Sequence, residues 1–228
     1  MSDNRSQKKL VRGPKSVIKH CPMRRSPEGR HGFTLIELLV VFTMIGILAG
    51  IAYPTFISIM ERARKIQAAN EEQQIITAVN AYYTEYGKYP LAAADTIYGP
   101  AANPNADLFY SLRAVASGAN ANNAINTRAI VFISPPDVKN PSQPKSGIGT
   151  TSSTGQYFDP WGTPYNVEID GNYDNQITNP YSDIDGSAGA TPLRLGVIGW
   201  SFGADLTLGT KSPASSNYKD SDDVISWQ

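Results

Sequence analysis

The sequence predicts an α+β fold in which one long N-terminal helix packs on a small antiparallel β-sheet with long loops. Two observations lead to this fold class. An apolar run leads directly into an amphipathic helical pattern, and the two together cover residues 33–88. Beyond Pro90, short β-prone pieces alternate with segments rich in Ala, Asn, Gly, Pro and Ser, which is typical of short strands joined by loops.

Residues 1–32 are predicted to be a removable targeting segment and not part of the fold. They carry nine Lys or Arg and two acidic residues, a net charge of +7, whereas the remainder carries a net charge of −7. Three prolines interrupt any helix here, and no apolar stretch precedes Gly32. A basic segment before an acidic body is typical of a chain sorted across a membrane, with its N-terminus on the cytoplasmic side.

Residues 33–60 are the predicted transmembrane helix. No residue from Leu38 to Met60 is charged, and at about 1.5 Å per residue this run spans roughly 30 Å. Glu37 lies at the start of the span, where a carboxylate in hydrocarbon costs at least ~2.5 kcal/mol. We therefore expect Glu37 to have a partner. Pro54 lies inside the helix and predicts a kink or a loosened turn.

Residues 61–88 are the predicted amphipathic continuation of this helix. Apolar residues recur at spacings of three and four, polar residues fill the other face, and Gly87 supplies a stop signal. Glu71 and Glu72 are assigned to the polar face. The predicted apolar stripe comprises Ile66, Ala69, Gln73, Ile76, Val79, Tyr83 and Tyr86.

Residues 89–228 are predicted to form a periplasmic α+β domain that ends in an acidic loop. Residues 108–115 predict a short helix, and residues 141–155 an exposed loop. Strands are predicted at residues 129–133, 165–169 and 194–201. All three soft or nucleophilic side chains, His20, Cys21 and His31, precede Phe33. Removal of residues 1–32 would exclude disulfides, thiolate sites and His-based catalysis, and would leave oxygen ligands, which suit calcium or magnesium.

The strongest motif is R-H-G-F-T-L-I-E-L-L at residues 30–39. It resembles the N-terminal signal of type IV prepilins and pseudopilins. The resemblance implies cleavage by a membrane prepilin peptidase between Gly32 and Phe33 and N-methylation of Phe33. It also implies a pilin-like fold and an assembly role for Glu37, whose partner would be the freed amine of Phe33 in its own or a neighbouring chain.

Two further motifs resemble the major (G-type) pseudopilins of type II secretion systems. They are D-P-W-G-T-P-Y at residues 159–165, and S-F-G-A-D at 201–205 followed by K-D-S-D-D-V-I-S-W at 219–227. In that family the C-terminal loop binds calcium, which implies Asp205, Asp222 and Asp223 as ligands. Leu206 departs from the pattern, because the family usually has Gly there. A solvated acidic tail is the alternative.

A rival calcium candidate is the D-G-N-Y-D-N-Q-I segment at residues 170–177. Asp170, Asn172 and Asp174 have the spacing that opens an EF-hand-type loop, but Tyr181 stands where the bidentate Glu is needed. A β-hairpin that turns at Gly171 and Asn172 explains the segment better.

The resemblance implies a structural subunit of the type II secretion pseudopilus, and not an enzyme. Its partners would be other copies of the chain, minor pseudopilins, the inner-membrane secretion platform and prepilin peptidase, with no nucleic acid expected. It would cross the inner membrane once, with a cytoplasmic N-terminus, before entering the periplasmic pseudopilus. The alternative is a type IV pilin or minor pseudopilin used in adhesion, motility or DNA uptake. A membrane-tethered enzyme or binding module is a third possibility, without a recognisable catalytic motif.

Overall fold

The computed structural model describes residues 32–99, 102–151, 153–182 and 187–228, except for the side chain of Pro54. The predicted leader, apart from Gly32, lies outside the described residues. The chain is divided into two compact units, the first ending at Ala49 and the second beginning at Gly50. Helix α1 covers Leu35–Tyr86, as the sequence predicts, and Pro54 does not interrupt it.

The second unit is built from the end of α1, a short helix and small antiparallel sheets. The α+β, pilin-like fold class is confirmed. The remaining elements are β1 Thr96–Tyr98, α2 Ala106–Leu112, a kinked 3-10 segment Gly118–Asn123, β2 Gly147–Ile148, β3 Tyr157–Phe158, β4 Asn166–Ile169, β5 Val197–Ser201, β6 Thr210–Lys211, β7 Ala214–Ser215 and β8 Val224–Ile225. The principal sheet has the order β1-β4-β5-β8, and all its pairs are antiparallel.

This principal sheet is covered on both faces, which explains why every residue of β4 and β5 is buried. Val167, Ile169 and Val197 belong to a core that contains Ile75 and Tyr82 of α1. Their strand neighbours Ile198 and Trp200 belong to a second core under the C-terminal segment. Because successive side chains of β5 point to opposite faces of the sheet, this one strand contributes residues to both cores.

The buried face of α1 differs from the predicted stripe. Ile66 is 63% exposed and Tyr83 is 40% exposed, whereas Ala68, Ile75 and Tyr82 are fully buried. The buried face also includes two acids, Glu71 and Glu72. The prediction was therefore right for Val79, which is fully buried, and for Ala69, Ile76 and Tyr86, which pack against the core. It was wrong for the two glutamates, which it placed on the polar face, and for Ile66 and Tyr83.

The predicted strand at residues 129–133 does not form. Asn126 is fully buried, and its side chain donates to the carbonyl of Ile130 (2.7 Å) and accepts from its amide (3.1 Å). These bonds use the backbone groups that a neighbouring strand would need. Ala129 also has a φ of 51°, which is incompatible with a strand. The strands predicted at residues 165–169 and 194–201 are confirmed as β4 and β5, and the helix predicted at 108–115 is α2.

Candidate functional site

The predicted cleavage junction lies just outside helix α1. Gly32 and Phe33 precede the first helical residue, Leu35, and the side chain of Phe33 is 85% exposed. A bond in this position can enter a peptidase cleft in extended form without unwinding a helix. The geometry is therefore compatible with cleavage after Gly32, while the cleavage itself stays a prediction.

Glu37 lies in the first turn of α1, and Thr34 is its partner. One carboxylate oxygen, Oε2, accepts from the backbone amide and from the hydroxyl of Thr34, both at 2.8 Å. In return, the hydroxyl of Thr34 accepts from the amide of Glu37 at 3.2 Å. This reciprocal arrangement is a capping box, which satisfies donors that the start of a helix leaves free. The T-L-I-E spacing at residues 34–37 is the sequence signal of this box.

The surface of α1 from Leu35 to Met60 is apolar and exposed. Among the described residues, α1 is a helix long and apolar enough to cross a membrane, and its apolar part is not buried by the rest of the chain. An exposed apolar surface of this length needs lipid or other protein around it.

The carboxylate of Asp159 organises the loop that follows β3. Its Oδ1 accepts the backbone amides of Trp161 (2.9 Å), Gly162 (2.7 Å) and Thr163 (2.8 Å), and its Oδ2 accepts the hydroxyl of Ser201 (2.5 Å). Burial raises the pKa of Asp159, and these four hydrogen bonds oppose that shift. The D-P-W-G-T-P-Y motif is therefore a loop folded around one acid.

Two aromatic residues of this loop attach it to helix α1. Trp161 donates its indole N–H to Glu61 at 2.9 Å, and Tyr165 donates its hydroxyl to Glu71 at 2.5 Å. Burial raises the pKa of Glu71, while the bond from Tyr165 lowers it. The motif thus joins the sheet domain to the helix, and the burial of Glu71 follows from its tyrosine partner.

Glu72 is a buried acid on a helix face that was predicted to be polar. It is fully buried, and no hydrogen bond of good geometry reaches either carboxylate oxygen among the described residues. The backbone amide of Ser201 lies close enough to oppose the rise in its pKa. Burial raises its pKa well above the usual range, and the nearby Asp159 and Asp223 raise it further. These effects favour the neutral form of Glu72 in the folded domain.

The structure brings together the three acids of the C-terminal loop. One carboxylate oxygen each of Asp205, Asp222 and Asp223 lies within 4.8 Å of the others. Asp222 Oδ2 accepts the backbone amides of Ala204 (2.5 Å) and Asp205 (3.1 Å), which fixes the two ends of the loop together. Gly203 is required there, because a Cβ at that position would lie 2.5 Å from the carbonyl oxygen of Asp222.

The chemistry of this cluster fits a hard cation. Asp223 is 4% exposed, and its Oδ2 accepts from Tyr181 (2.7 Å) and from the amide of Gly209 (2.7 Å). Its Oδ1 is buried and has no donor among the described residues. Burial raises the pKa of Asp223 to about 6, and the two other acids add to the shift. An unpaired buried oxygen beside two further carboxylates is a donor set that calcium prefers.

The departure at Leu206 has a structural explanation. Its φ is 63°, in the left-handed region that glycine adopts without strain. The backbone turn expected of a glycine is therefore retained at this position with a leucine side chain. Lys211 donates to the carbonyl of Asp205 at 3.4 Å and brings a positive charge to the same loop.

The rival loop at Asp170 is a turn held by two acids, because Asp95 accepts from the amides of Gly171 and Asn172 and from the side chain of Asn172. Asp170 is 2% exposed, and its two oxygens accept the amides of Tyr173 (2.6 Å) and Asn175 (2.8 Å). With both oxygens engaged by backbone, Asp170 has less to offer a cation than Asp223. The predicted hairpin is wrong, because the segment after this turn pairs Ile177 with Leu193 and not with β4.

The similarity of this chain to known proteins covers only part of its length. The prokaryotic N-terminal methylation motif matches residues 29–53. The type IV major pilin protein PilA of Myxococcus xanthus (strain DK1622) is 38% identical over 77 residues, or 34% of each chain. The fimbrial protein EcpC of Eikenella corrodens is 38% identical over 89 residues, covering 39% of this chain and 57% of the relative.

A type IV major pilin protein, PilE1, of Neisseria gonorrhoeae is 41% identical over 59 residues, covering 26% of this chain and 36% of the relative. The chain thus spans between about a third and just over half of these relatives. No solved structure matches the chain.

Proposed function

We propose that this chain, which is a type IV pilin-like protein, is a subunit of the pseudopilus of a type II secretion system. The observation that carries a filament role is the exposed apolar surface of α1, interrupted by a single acid, Glu37. Lipid covers such a surface before assembly, and equivalent helices of other copies cover it afterwards.

Pilins and fimbrial proteins, the relatives matched by this chain, are structural subunits that self-assemble into filaments after processing by a prepilin peptidase. They are not enzymes, and the expectation that this chain is not an enzyme is confirmed on that ground. The methylation motif and the apolar helix indicate a membrane-anchored protein.

Cleavage after Gly32 changes the electrostatics around Glu37. It creates a positively charged α-amine at Phe33, four residues from a carboxylate that the capping box holds at the helix start. In the proposed filament this amine, which becomes methylated, pairs with Glu37 of its own or a neighbouring copy. The pair removes the cost of a lone carboxylate in an apolar environment and sets the axial register between copies.

Calcium is part of the same proposal. Asp205, Asp222 and Asp223 would hold the ion, and the unpaired Oδ1 of Asp223 supports this assignment. The ion would offset two of the three negative charges of this cluster and fix the loop between β5 and β8 to the sheet. The D-P-W-G-T-P-Y loop and this acidic loop together favour a pseudopilin over other pilin-like proteins.

The proposed topology places the leader in the cytoplasm and the sheet domain in the periplasm, with the anchor in the inner membrane. The proposed partners are minor pseudopilins, the inner-membrane secretion platform and prepilin peptidase.

A type IV pilus is the second candidate, because the relatives named above are pilins and fimbrial proteins. A deletion strain separates the two functions. The pseudopilus proposal expects exported proteins to accumulate in the periplasm, with export restored by the wild-type chain. If the deletion removed long surface pili and left export unchanged, the pseudopilus proposal would be wrong and the pilus function would take its place.

A further inference from the structure

A basic cleft lies beside α1 where the apolar run ends. It has a volume of about 570 Å³, and Met60 and Arg64 of the helix line one side of it. Lys139 and Lys145 line the other side, from the loop between residues 136 and 146. We call these four residues and the space between them the basic cleft.

The positive charge of the cleft is only partly offset within the described part of the chain. Arg64 pairs with Glu61 at 2.5 Å, and Asp137, which also lines the cleft, lies 3.8 Å from Arg113. Neither Lys139 nor Lys145 has an acidic partner within 4.0 Å among the described residues. Both lysines are exposed.

The surrounding charge makes this concentration unusual. Residues 33–228 carry a net charge of −7, yet residues 61–65 have three basic side chains and one acid. The loop residues 137–145 add two lysines and one acid. A local positive patch on an acidic protein creates a potential that attracts anions.

The loop that carries the lysines is held in place by backbone hydrogen bonds. Val138 donates to Ile148 (3.0 Å), Ile148 donates to Pro136 (2.9 Å), and Ser146 donates to Asp159 (2.8 Å). Val138 is also buried. These contacts fix the backbone on both sides of Lys139 and Lys145, so binding does not have to order the loop itself.

Met60 fixes the level of the cleft relative to the membrane. It is the last residue of the uncharged run, and Arg62, Arg64 and Lys65 follow it within one and a half turns. A residue at the end of a hydrophobic span lies at the boundary between hydrocarbon and headgroups. The basic cleft therefore opens where lipid phosphates are found.

We propose that the basic cleft binds the phosphodiester headgroup of an anionic membrane lipid, with Arg64, Lys139 and Lys145 around the phosphate. The proposal rests on the membrane anchoring in the proposed function. Binding would hold the sheet domain against the bilayer before assembly, and it gives a role to a loop that the family resemblance leaves unexplained. Phosphatidylglycerol has this chemistry, whereas phosphatidylcholine has the same phosphate with its charge cancelled.

The test measures lipid retention by the processed chain, residues 33–228. The chain is released from detergent, and native mass spectrometry measures its mass with any bound lipid. The chain is titrated with phosphatidylglycerol and, separately, with phosphatidylcholine. We expect tighter binding of phosphatidylglycerol, and a loss of about fivefold in that preference for each lysine removed, from about 1 kcal/mol per basic residue near an anionic surface. The test variant is Lys139→Gln with Lys145→Gln.

The matched control is Lys88→Gln with Arg194→Gln. Both residues are exposed and neither lines the cleft. Lys88 lies beyond the end of α1, roughly 35 Å from Arg64 along the helix axis. The control should keep the full preference. Equal retention of both lipids by the wild-type chain, or equal losses in both double variants, overturns the proposal.

Two further outcomes also overturn it. Saturation by water-soluble glycerol phosphate at the same concentration as the lipid would make the cleft a site for free phosphate. If the wild-type chain formed dimers and showed no lipid preference, and the dimers disappeared only in the Lys139 and Lys145 variant, the basic cleft would be a contact between copies. A chain that fails to enter the membrane fraction contradicts the anchoring instead, so the two failures are distinguishable.

Discussion

Replacement of Asp159 by alanine should destabilise the sheet domain more than an ordinary surface substitution. Asp159→Ala removes the acceptor for three backbone amides, of which that of Trp161 is buried and those of Gly162 and Thr163 are half-buried. An unsatisfied buried donor costs about 1–3 kcal/mol, so we expect a total loss of about 4 kcal/mol. This is a large part of the typical stability of a domain.

That loss corresponds to a fall in Tm of about 8–16 °C, at about 2–4 °C per kcal/mol for a domain of this size. All three tryptophans lie beyond residue 160, so tryptophan fluorescence of the processed chain in detergent follows the domain without a signal from the anchor. Asp159→Asn is the matched control. It keeps an oxygen for the amides, and its NH₂ group can donate to Ser201.

The asparagine variant should melt clearly above the alanine variant. Its amide oxygen still accepts from the three backbone amides, although all the bonds to residue 159 lose the assistance of the charge. An Asp159→Ala protein that melts as high as the asparagine variant would refute the reasoning. The loop would then be held by its aromatic contacts to α1, and the carboxylate would be incidental.

Three other perturbations have defined outcomes. Gly32→Ala should block processing, so that immunoblots show only the longer precursor. Calcium at 100 times its Kd should stabilise the processed chain by about 2.7 kcal/mol, a rise in Tm of about 5–11 °C, and Asp205→Ala should abolish the rise. Burial, with a smaller effect of Asp95, raises the pKa of Glu168 to about 7. The stability of the parent should therefore fall as pH rises from about 4.5 to 7. Because Glu168→Gln lacks this titration, the Tm of the variant relative to the parent should rise across that range.

Each of these has its own contradicting result. A mature-sized band from Gly32→Ala would move the cleavage site. A calcium effect that survives Asp205→Ala but is lost in Asp174→Ala would transfer the ion to the rival loop. A Tm difference between Glu168→Gln and the parent that is the same at pH 4.5 and pH 8 would show that Glu168 has its ordinary pKa in the fold.

The long helix and two central strands could be predicted because their signals are local. An apolar run, a helical period and the β-prone segments before and after the loops identify α1, β4 and β5 without knowledge of the rest of the chain. Asn126 shows the limit of such signals. Its side chain satisfies the backbone of Ile130, and only the tertiary structure reveals that this replaces strand pairing.

Buried acids were the second limit. Glu71 is hidden because Tyr165, 94 residues away, donates to it, and no periodicity contains that pairing. The acidic cluster is similar, since Asp205 and Asp222 meet only when β5 and β8 pair. Their positions came from a family resemblance. The unpaired oxygen of Asp223, which supports a cation there, could not be read from the sequence at all.

The filament role is tested most directly through Glu37. Cells that produce the Glu37→Ala chain should process it and insert it in the membrane as the wild type does. Filaments recovered by shearing or sedimentation should, however, be absent or strongly reduced for the variant, because its helices would lack the charge that we propose to pair with the amine of Phe33. Wild-type amounts of filament from Glu37→Ala would contradict the account.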